Sequence, residues 1–519
     1  MQVENSISSW TISGFLMCLF IGCFISCSTP KSITSTDDGQ IEVAIVQMND
    51  VYEIAGVDGG RSGGLSRVAH YFQEVQNKYP ASMLVLAGDF LNPSLLGTMR
   101  YEGKRIRGKQ MIETLNAMEL DLVAFGNHEF DLNENDLQLR INESNFDWIA
   151  TNLYQVCGDR EYPFYKEVDG RKQFIPESKA YSLKDADGTT IDLGFFSATI
   201  PSNPVEYVQY YDADSCAALE IDHLKKSSDV LIGLTHLAID QDLALAKMQP
   251  DVKLIMGGHE HNNMFYKVGS ATVAKADANA RTVYLHVISY NKRTGKVSIN
   301  SDLIEINDQM PKDPVVDAIV QKWSKILEKN IKQVVDQPYE IVYRADQPLD
   351  GQETTIRHQP SNMGQMFTEA MLKASRQQSI AAIMNSGSIR IDDEISGDVT
   401  ALDIFRALPF GGSVIEVSMT GNLLFGILRF SEKSKGTGAY LQYSGIEKKG
   451  NEWLIEGKSL DKEGTYTIVM TDFLLRGFDI PFLTHENTGI SAIYRPDAAD
   501  KKDVRNDIRR TIIEYLKRI

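Results

Sequence analysis

Five short apolar runs along the chain each end in a polar side chain able to bind a metal. They are Asp50 in IVQMND, Asp89 in LVLAGD, Asn127 in LVAFGNHEFD, His236 in LIGLTH, and His259 with His261 in KLIMGGHEH. Runs this short fall below the length of most helices and read as buried strands. Glycine directly precedes Asp89, Asn127 and His259, which predicts a sharp turn aiming the next side chain across the sheet edge. From residue 41 to 307 such strands alternate with helical stretches at 64–78 and 109–118, the pattern of an α/β sheet layered with helices. Asp313-Pro314 then offers an N-cap and a proline at the first helical position. Val316, Ile319, Val320, Trp323, Leu327 and Ile331 follow at helical spacing, so a helix is expected to run up to Pro338 and to join two domains.

Length supports that division, because 519 residues exceed what one compact core holds. The predicted order is a signal segment at 1–26, a linker at 27–40, a catalytic domain at 41–307, a connecting helix at 308–338 and a substrate domain at 339–519. Composition is ordinary for a globular protein, 43% apolar and 24% charged. The net charge of −17 disfavours a nucleic acid polymer as partner. An anionic substrate would need local positive charge from metals and a few arginines.

Residues 11–26, TISGFLMCLFIGCFIS, form an apolar stretch that ends at Cys27 and suits an export signal better than a membrane span. The preceding MQVEN lacks lysine and arginine, a departure from the usual signal. The apolar run into Ser26-Cys27 resembles a bacterial lipoprotein signal with Cys27 as the lipidation site; Cys23 is the second choice, and an uncleaved anchor the alternative. Each places the body outside the cytoplasm, in the cell envelope. Cys157 and Cys216 would remain as thiols, with no disulfide framework.

Carboxylate, amide and imidazole ligands at strand ends suit hard or borderline divalent metals such as manganese, zinc or iron. Two such ions polarise a phosphoryl group and activate water near neutral pH. Asp89, central in the series, is expected to bridge them. Asp50 and His261 complete one ion; Asn127, His236 and His259 complete the other. His128, next to a ligand, should point to the leaving side of the substrate, where Asp131 would hold and protonate its imidazole. Asp131 could also N-cap a helix over LNENDL.

On these residues the chain resembles the 5′-nucleotidase family of calcineurin-like metallophosphoesterases, which includes the bacterial UDP-sugar hydrolases. The resemblance implies an N-terminal calcineurin-like metallophosphoesterase sandwich joined by a helix to a C-terminal α/β domain that binds the nucleoside, with rotation between them. Motifs in the second half agree in order. TTIRHQPSNMG places Arg357 at a phosphate contact, and NSGSIR places Asn385, Gly387 and Arg390 in the family's Asn-x-Gly-x-x-Arg segment. A guanidinium suits phosphate because its planar fork donates two parallel hydrogen bonds. LPFGG places Phe410 where the family stacks a base.

Two departures stand out. The family begins with Asp-x-His, whereas this chain has Asp50-Val51-Tyr52, so Tyr52 either ligates iron at the first site or leaves that metal weakly held. Glu53 should face away from Tyr52 on an extended segment. The family's late Gly-Gly-Asp-Gly-aromatic motif is replaced by TDFLLRGFDIPFL, where Asp479 matches the aspartate and Phe482 is expected to take over stacking. The function implied is metal-dependent hydrolysis of nucleotide phosphate esters. 2′,3′-Cyclic phosphodiester or UDP-sugar hydrolysis are variants within the class, and a low-turnover nucleotide-binding protein is the alternative outside it.

Overall fold

The computed structural model describes residues 37–202 and 204–519. Residues 11–26 and Cys27, the expected export and lipidation segment, lie outside that range. Among the described residues no helix is long and apolar enough to cross a membrane. Cys157 and Cys216 are free thiols.

The first half is a sandwich of two six-stranded mixed sheets. One has the order 296–305, 282–291, 40–48, 82–87, 122–124, 147–149; the other has 178–184, 190–199, 230–236, 252–257, 271–275, 264–268. Each apolar run of the sequence lies in a parallel interior strand of one of these sheets. The runs are apolar throughout because both strand faces are covered. Val43, Ile45, Val85, Leu122, Phe195, Ile232 and Met256 pack between the sheets, and helices cover the outer faces. Strands that run parallel share one carboxyl end, which is what gathers residues 50, 89, 127, 236 and 259.

The helix after the sandwich runs Pro314–Ile331, capped by Asp313, whose carboxylate accepts from the Val316 N–H at 2.7 Å. Val316, Val320, Trp323, Leu327 and Ile331 form its buried stripe. Trp323 is fully buried and donates its indole N–H to Glu113 at 3.0 Å. The helix is therefore packed on the sandwich, and its apolar contacts continue into the second half through Val342, Leu349 and Ile356. That half centres on a five-stranded sheet in the order 441–444, 381–385, 465–471, 414–420, 490–494.

A buried polar chain ties the two sandwich sheets beside the ligand turns. Gln47 donates to the carbonyls of Gly257 at 3.1 Å and Ala274 at 3.0 Å. Its own amide oxygen accepts from His286 Nε2 at 2.9 Å, and His286 Nδ1 pairs with Ser301 Oγ at 2.8 Å. Burial, with a smaller push from Lys267, lowers the His286 pKa to about 3. A depressed histidine stays neutral when folded but takes a proton when unfolded, so its contribution is present above the unfolded value of about 6.5 and is lost as pH falls towards 3. The melting temperature should thus drop as pH falls from about 6.5 to 5, and less steeply in His286→Gln, which cannot titrate there. Differential scanning calorimetry of both proteins over that range checks this.

Candidate metal centre and active site

The ligand turns are tighter than glycine placement alone suggests. Gly88 does take the left-handed region, at φ 77°, but so do the non-glycine residues Asp50 (φ 52°), Asp89 (φ 56°) and His259 (φ 86°). Such backbone costs about 1–3 kcal/mol per residue and persists only where the surroundings fix it. Gly126 and Gly258 serve a different purpose from the expected sharp turn. A Cβ at 126 would run into the Asp89 carboxylate, and one at 258 would lie 2.7 Å from His236 Nδ1. They are glycine because the ligands pass too close for any side chain.

Glu129, the last residue of GNHE, holds these turns in register. Its carboxylate accepts from the N–H groups of Asp89 (2.8 Å), Phe90 (2.8 Å), Leu91 (3.1 Å) and Gly126 (2.7 Å). Burial and the neighbouring Asp89 nevertheless push its pKa up to about 7. Lys275, fully buried, joins two further turns by donating to the carbonyls of Leu237 (2.6 Å) and Gly258 (2.8 Å), next to His236 and His259. Neither role was visible in the motifs, because all the partners except Gly126 lie far off in sequence.

Asp50, Asp89 and His236 converge with ligand atoms within 4.8 Å of one another. His236 Nε2 lies 3.1 Å from Asp89 Oδ2 and 3.9 Å from Asp50 Oδ1. Its other nitrogen, Nδ1, faces the Ala87 carbonyl at 2.8 Å, which fixes the tautomer with Nε2 open to the centre. His259 donates its backbone N–H to Asp50 at 3.0 Å and sets its ring 5.5 Å from that of His236. His261 Nε2 lies 3.6 Å from Asp50 Oδ1. Tyr52 points into the same place, its hydroxyl 3.1 Å from His261 Nε2 and 3.4 Å from Asp89 Oδ2. Glu53 turns away and pairs with Arg406 at 3.2 Å.

These residues fit divalent metals. Among the described residues the buried Asn127 Oδ1 has no hydrogen-bond partner, which is costly for a buried polar group unless something else binds it, and His236 Nε2 faces only the Asp89 and Asp50 carboxylates. Burial lowers the two imidazoles, but carboxylates outweigh it: Asp89 and Asp50 raise His236 to about 9, and Asp392 and Asp50 raise His261 to about 10.

The leaving side of the site is built by His128 and Asp131. His128 Nδ1 meets Asp131 Oδ2 at 2.8 Å, and its backbone N–H donates to Asp89 Oδ1 at 2.7 Å. Burial pulls the imidazole down, yet Asp89 and Asp131 hold its pKa well above the ordinary histidine range. Asp131 does not cap the next helix; Asn133 does, by accepting from the Asp136 N–H. The Asp131 carboxylate is engaged instead with His128, with Asn92 at 2.9 Å and with Arg390 Nη2 at 2.7 Å.

Arg390 belongs to the second half, so this contact crosses between domains. Its guanidinium also reaches Glu353 Oε1 at 3.5 Å, and Glu353 pairs with Arg357. Asn127, His128, His259, His261, Glu353, Arg357 and Asp392 together line a cavity of about 410 Å³. Glu353 and Asp392 carried no signal in the sequence, since neither falls on a recognisable motif position.

The nucleoside-side residues gather at one end of the second sheet. Asn385 donates to Asp479 at 2.7 Å, and a Cβ at Gly387 would lie 3.1 Å from the Gly438 Cα. Phe410 is 61% exposed at the start of the strand Val414–Thr420. Phe482 is placed elsewhere. Its neighbours Ile480 and Leu483 are fully buried, which turns the ring onto the helix Gly421–Lys433, edge-on to Phe430 at 5.7 Å. It lines a surface cavity with Thr420, at the opposite end of the strand from Phe410. Phe473 follows Asp472, which pairs with Ser413 through backbone and side chain, so it stands at Phe410's end of the strand. Phe473 lies 6.1 Å from Phe478. The TDFLL segment held the clue, but its position relative to residue 410 depends on strand pairing.

Comparison with known proteins follows the same two-part division. Residues 43–263 match the family model of calcineurin-like phosphoesterases, and residues 341–485 match that of the 5′-nucleotidase C-terminal domain. The chain is 25% identical over 456 residues to a 5′-nucleotidase of Homo sapiens, covering 79% of this chain and 75% of that protein. It is 26% identical over 423 residues to a 5′-nucleotidase of Vibrio cholerae, covering 69% and 71%. In fold it is similar to the crystal structure of a 5′-nucleotidase precursor from Thermus thermophilus, with a TM-score of 0.65 at 21% identity, covering 92% of this chain and 96% of that one.

Two outcomes follow from the geometry. Gly126→Ala should lower metal retention after dialysis at least as far as loss of an outer-shell partner does, about 10–100-fold, read by elemental analysis. Because His236 and His261 hold protons at pH 7 in the metal-free protein, metal uptake should release protons and tighten as pH rises towards 9. Calorimetry in buffers of different ionisation enthalpy reads the proton count directly.

Proposed function

We propose, from the premise that this chain belongs to the calcineurin-like phosphoesterases with a 5′-nucleotidase C-terminal domain, that it hydrolyses phosphate esters of nucleotides in a metal-dependent reaction, as a 5′-nucleotidase. The observation that carries the reading is a shared carboxylate. Asp131 binds at once the imidazole of His128 in the first domain and the guanidinium of Arg390 in the second. A proton donor and an anion-binding group thus meet at one carboxylate, behind the cavity that His128 and Arg357 line.

Asp50, Asp89 and His261 would hold one divalent ion, and Asn127, His236 and His259 the other, with Asp89 between them. Two such ions, when bound, supply Lewis acidity at phosphoryl oxygens and an ionised water at neutral pH. The chain's own groups do the rest. Asp131 keeps Nδ1 of His128 protonated and the ring oriented, so that Nε2 donates its proton to the departing 5′-oxygen. Arg357 and Arg390 exchange Glu353 for the substrate phosphate, to which each presents a planar fork of donors. Phe410, with Phe473 in the role first expected of Phe482, offers apolar ring faces for the base, and Asn385, Gly387 and Asp479 shape its edge. The apolar run ending at Cys27 supports an exported protein held to the cell envelope by a lipid.

The direct test is phosphate release from 5′-AMP in manganese, zinc or iron buffers, with a chelator control. Metal-dependent release is expected; none in any metal would leave a nucleotide-binding protein. His128→Ala should reduce kcat by about 100–10,000-fold, the usual worth of a general acid, while metal content stays intact. Arg390→Ala should raise KM for the nucleotide, and unchanged kinetics would remove it from the site.

A further inference from the structure

The second domain reaches into the metal centre along one short loop. Arg390 binds Asp131, and Asp393 binds Arg281 at 2.8 Å and Asn279 at 3.4 Å, all across the domain boundary. Between them Asp392 adopts a left-handed backbone, φ 42°, rare for a residue other than glycine. Its main-chain carbonyl accepts from His261 Nδ1, which leaves Nε2 of that ligand facing the centre. Its carboxylate stands between two histidines: Oδ2 lies 3.6 Å from His261 Nε2 and 3.8 Å from His128 Nε2, while Oδ1 accepts the Glu353 N–H at 2.7 Å.

Around His261 Nε2 three oxygens stand at similar separations: Tyr52 Oη at 3.1 Å, Asp50 Oδ1 at 3.6 Å and Asp392 Oδ2 at 3.6 Å. Tyr52 Oη is in turn 3.4 Å from Asp89 Oδ2. Ligands bound tetrahedrally at about 2.1 Å lie roughly 3.4 Å apart. The carboxylates are too far from His261 for hydrogen bonds but spaced as donors around a common ion are. What the first domain itself adds at this position is the Tyr52 phenol, and a phenol is a poor ligand beside a carboxylate for these metals.

We infer that Asp392 is a ligand of the first metal, contributed by the second domain, so that this ion is fully held only when the two domains are closed on each other. The inference rests on the metallophosphoesterase reading for the presence of the ions, and it adds a consequence. Binding of the first metal and closure of the domains are one linked equilibrium, in which each favours the other by the same factor. Asp393 and Arg390 supply the contacts that bring the loop to the site.

The test needs no substrate, so its failure is separate from failure of the nucleotidase reading. Manganese(II) is titrated calorimetrically into chelator-stripped protein, and small-angle scattering follows the radius of gyration. The wild type should bind two equivalents and contract as they bind. Asp392→Ala should keep one equivalent and bind the other about 1,000-fold more weakly, beyond the 10–100-fold range typical of an outer-shell partner, without full contraction. Asp392→Asn, which retains the shape and the hydrogen bond to Glu353, should show the same defect if the alanine variant does not fold. Adding Tyr52→His to Asp392→Ala supplies an imidazole from the first domain and should restore the second equivalent without restoring the contraction. Two equivalents at wild-type affinity in both Asp392 variants would overturn the assignment and make Asp392 a simple ion-pair partner of His261 and His128.

Discussion

Everything at the centre of this molecule answers to one constraint: Asp50 and Asp89 are carboxylates with at most 1% exposure, at the shared carboxyl end of parallel strands. Removing two charges from water costs several kcal/mol each even after relaxation, and histidines alone offset that poorly. The surroundings are arranged accordingly. Backbone N–H groups of His128 and His259 point at the carboxylates, the imidazoles of His236 and His261 face them, and Gly126 and Gly258 clear the space. The left-handed backbone at residues 50, 89 and 259 is the strain that such convergence imposes. Divalent ions complete the neutralisation and bring the chemistry with them.

The same electrostatics joins the domains. Positive and negative groups alternate across the boundary, from Glu53 with Arg406 through Asp131 with Arg390 to Arg281 with Asp393. Each pair is largely buried, so its attraction is less screened but must offset desolvation, which makes it depend on geometry and makes loss of either partner costly. The helix Pro314–Ile331 is tied to the sandwich by Trp323, whose indole N–H donates to Glu113. The boundary thus combines these polar pairs with the apolar contacts beyond the helix, and it is lined by the 410 Å³ cavity.

The arginines show how the cavity is kept ready for that anion. Arg357 and Arg390 are paired with Glu353, and Arg390 also with Asp131. A phosphate entering the cavity therefore replaces existing partners instead of meeting bare cations, which keeps the cost of the empty site low. His128 sits between the two sets of groups and is held protonated by the carboxylates around it.

The sequence by itself determined the strands, their order and the residues at their ends. A run such as LVLAGD has only one way to be buried on both faces and still deliver its aspartate to the sheet edge, so Asp50, Asp89, Asn127, His236 and His259 were legible from local pattern alone. The helix over residues 314–331 was legible for the same reason, through its cap and its periodic stripe. What only the tertiary structure decided are the partners that come from far along the chain. Glu129 gathers four N–H groups from two turns, Lys275 joins two others, Asp392 arrives from the second domain, and Phe482 turns onto a helix while Phe473 takes the end near Phe410. Apart from the bond of Glu129 to the Gly126 N–H, no window of sequence contains these pairings, because they depend on strand register and on the angle between domains, and both are set by packing across the whole fold.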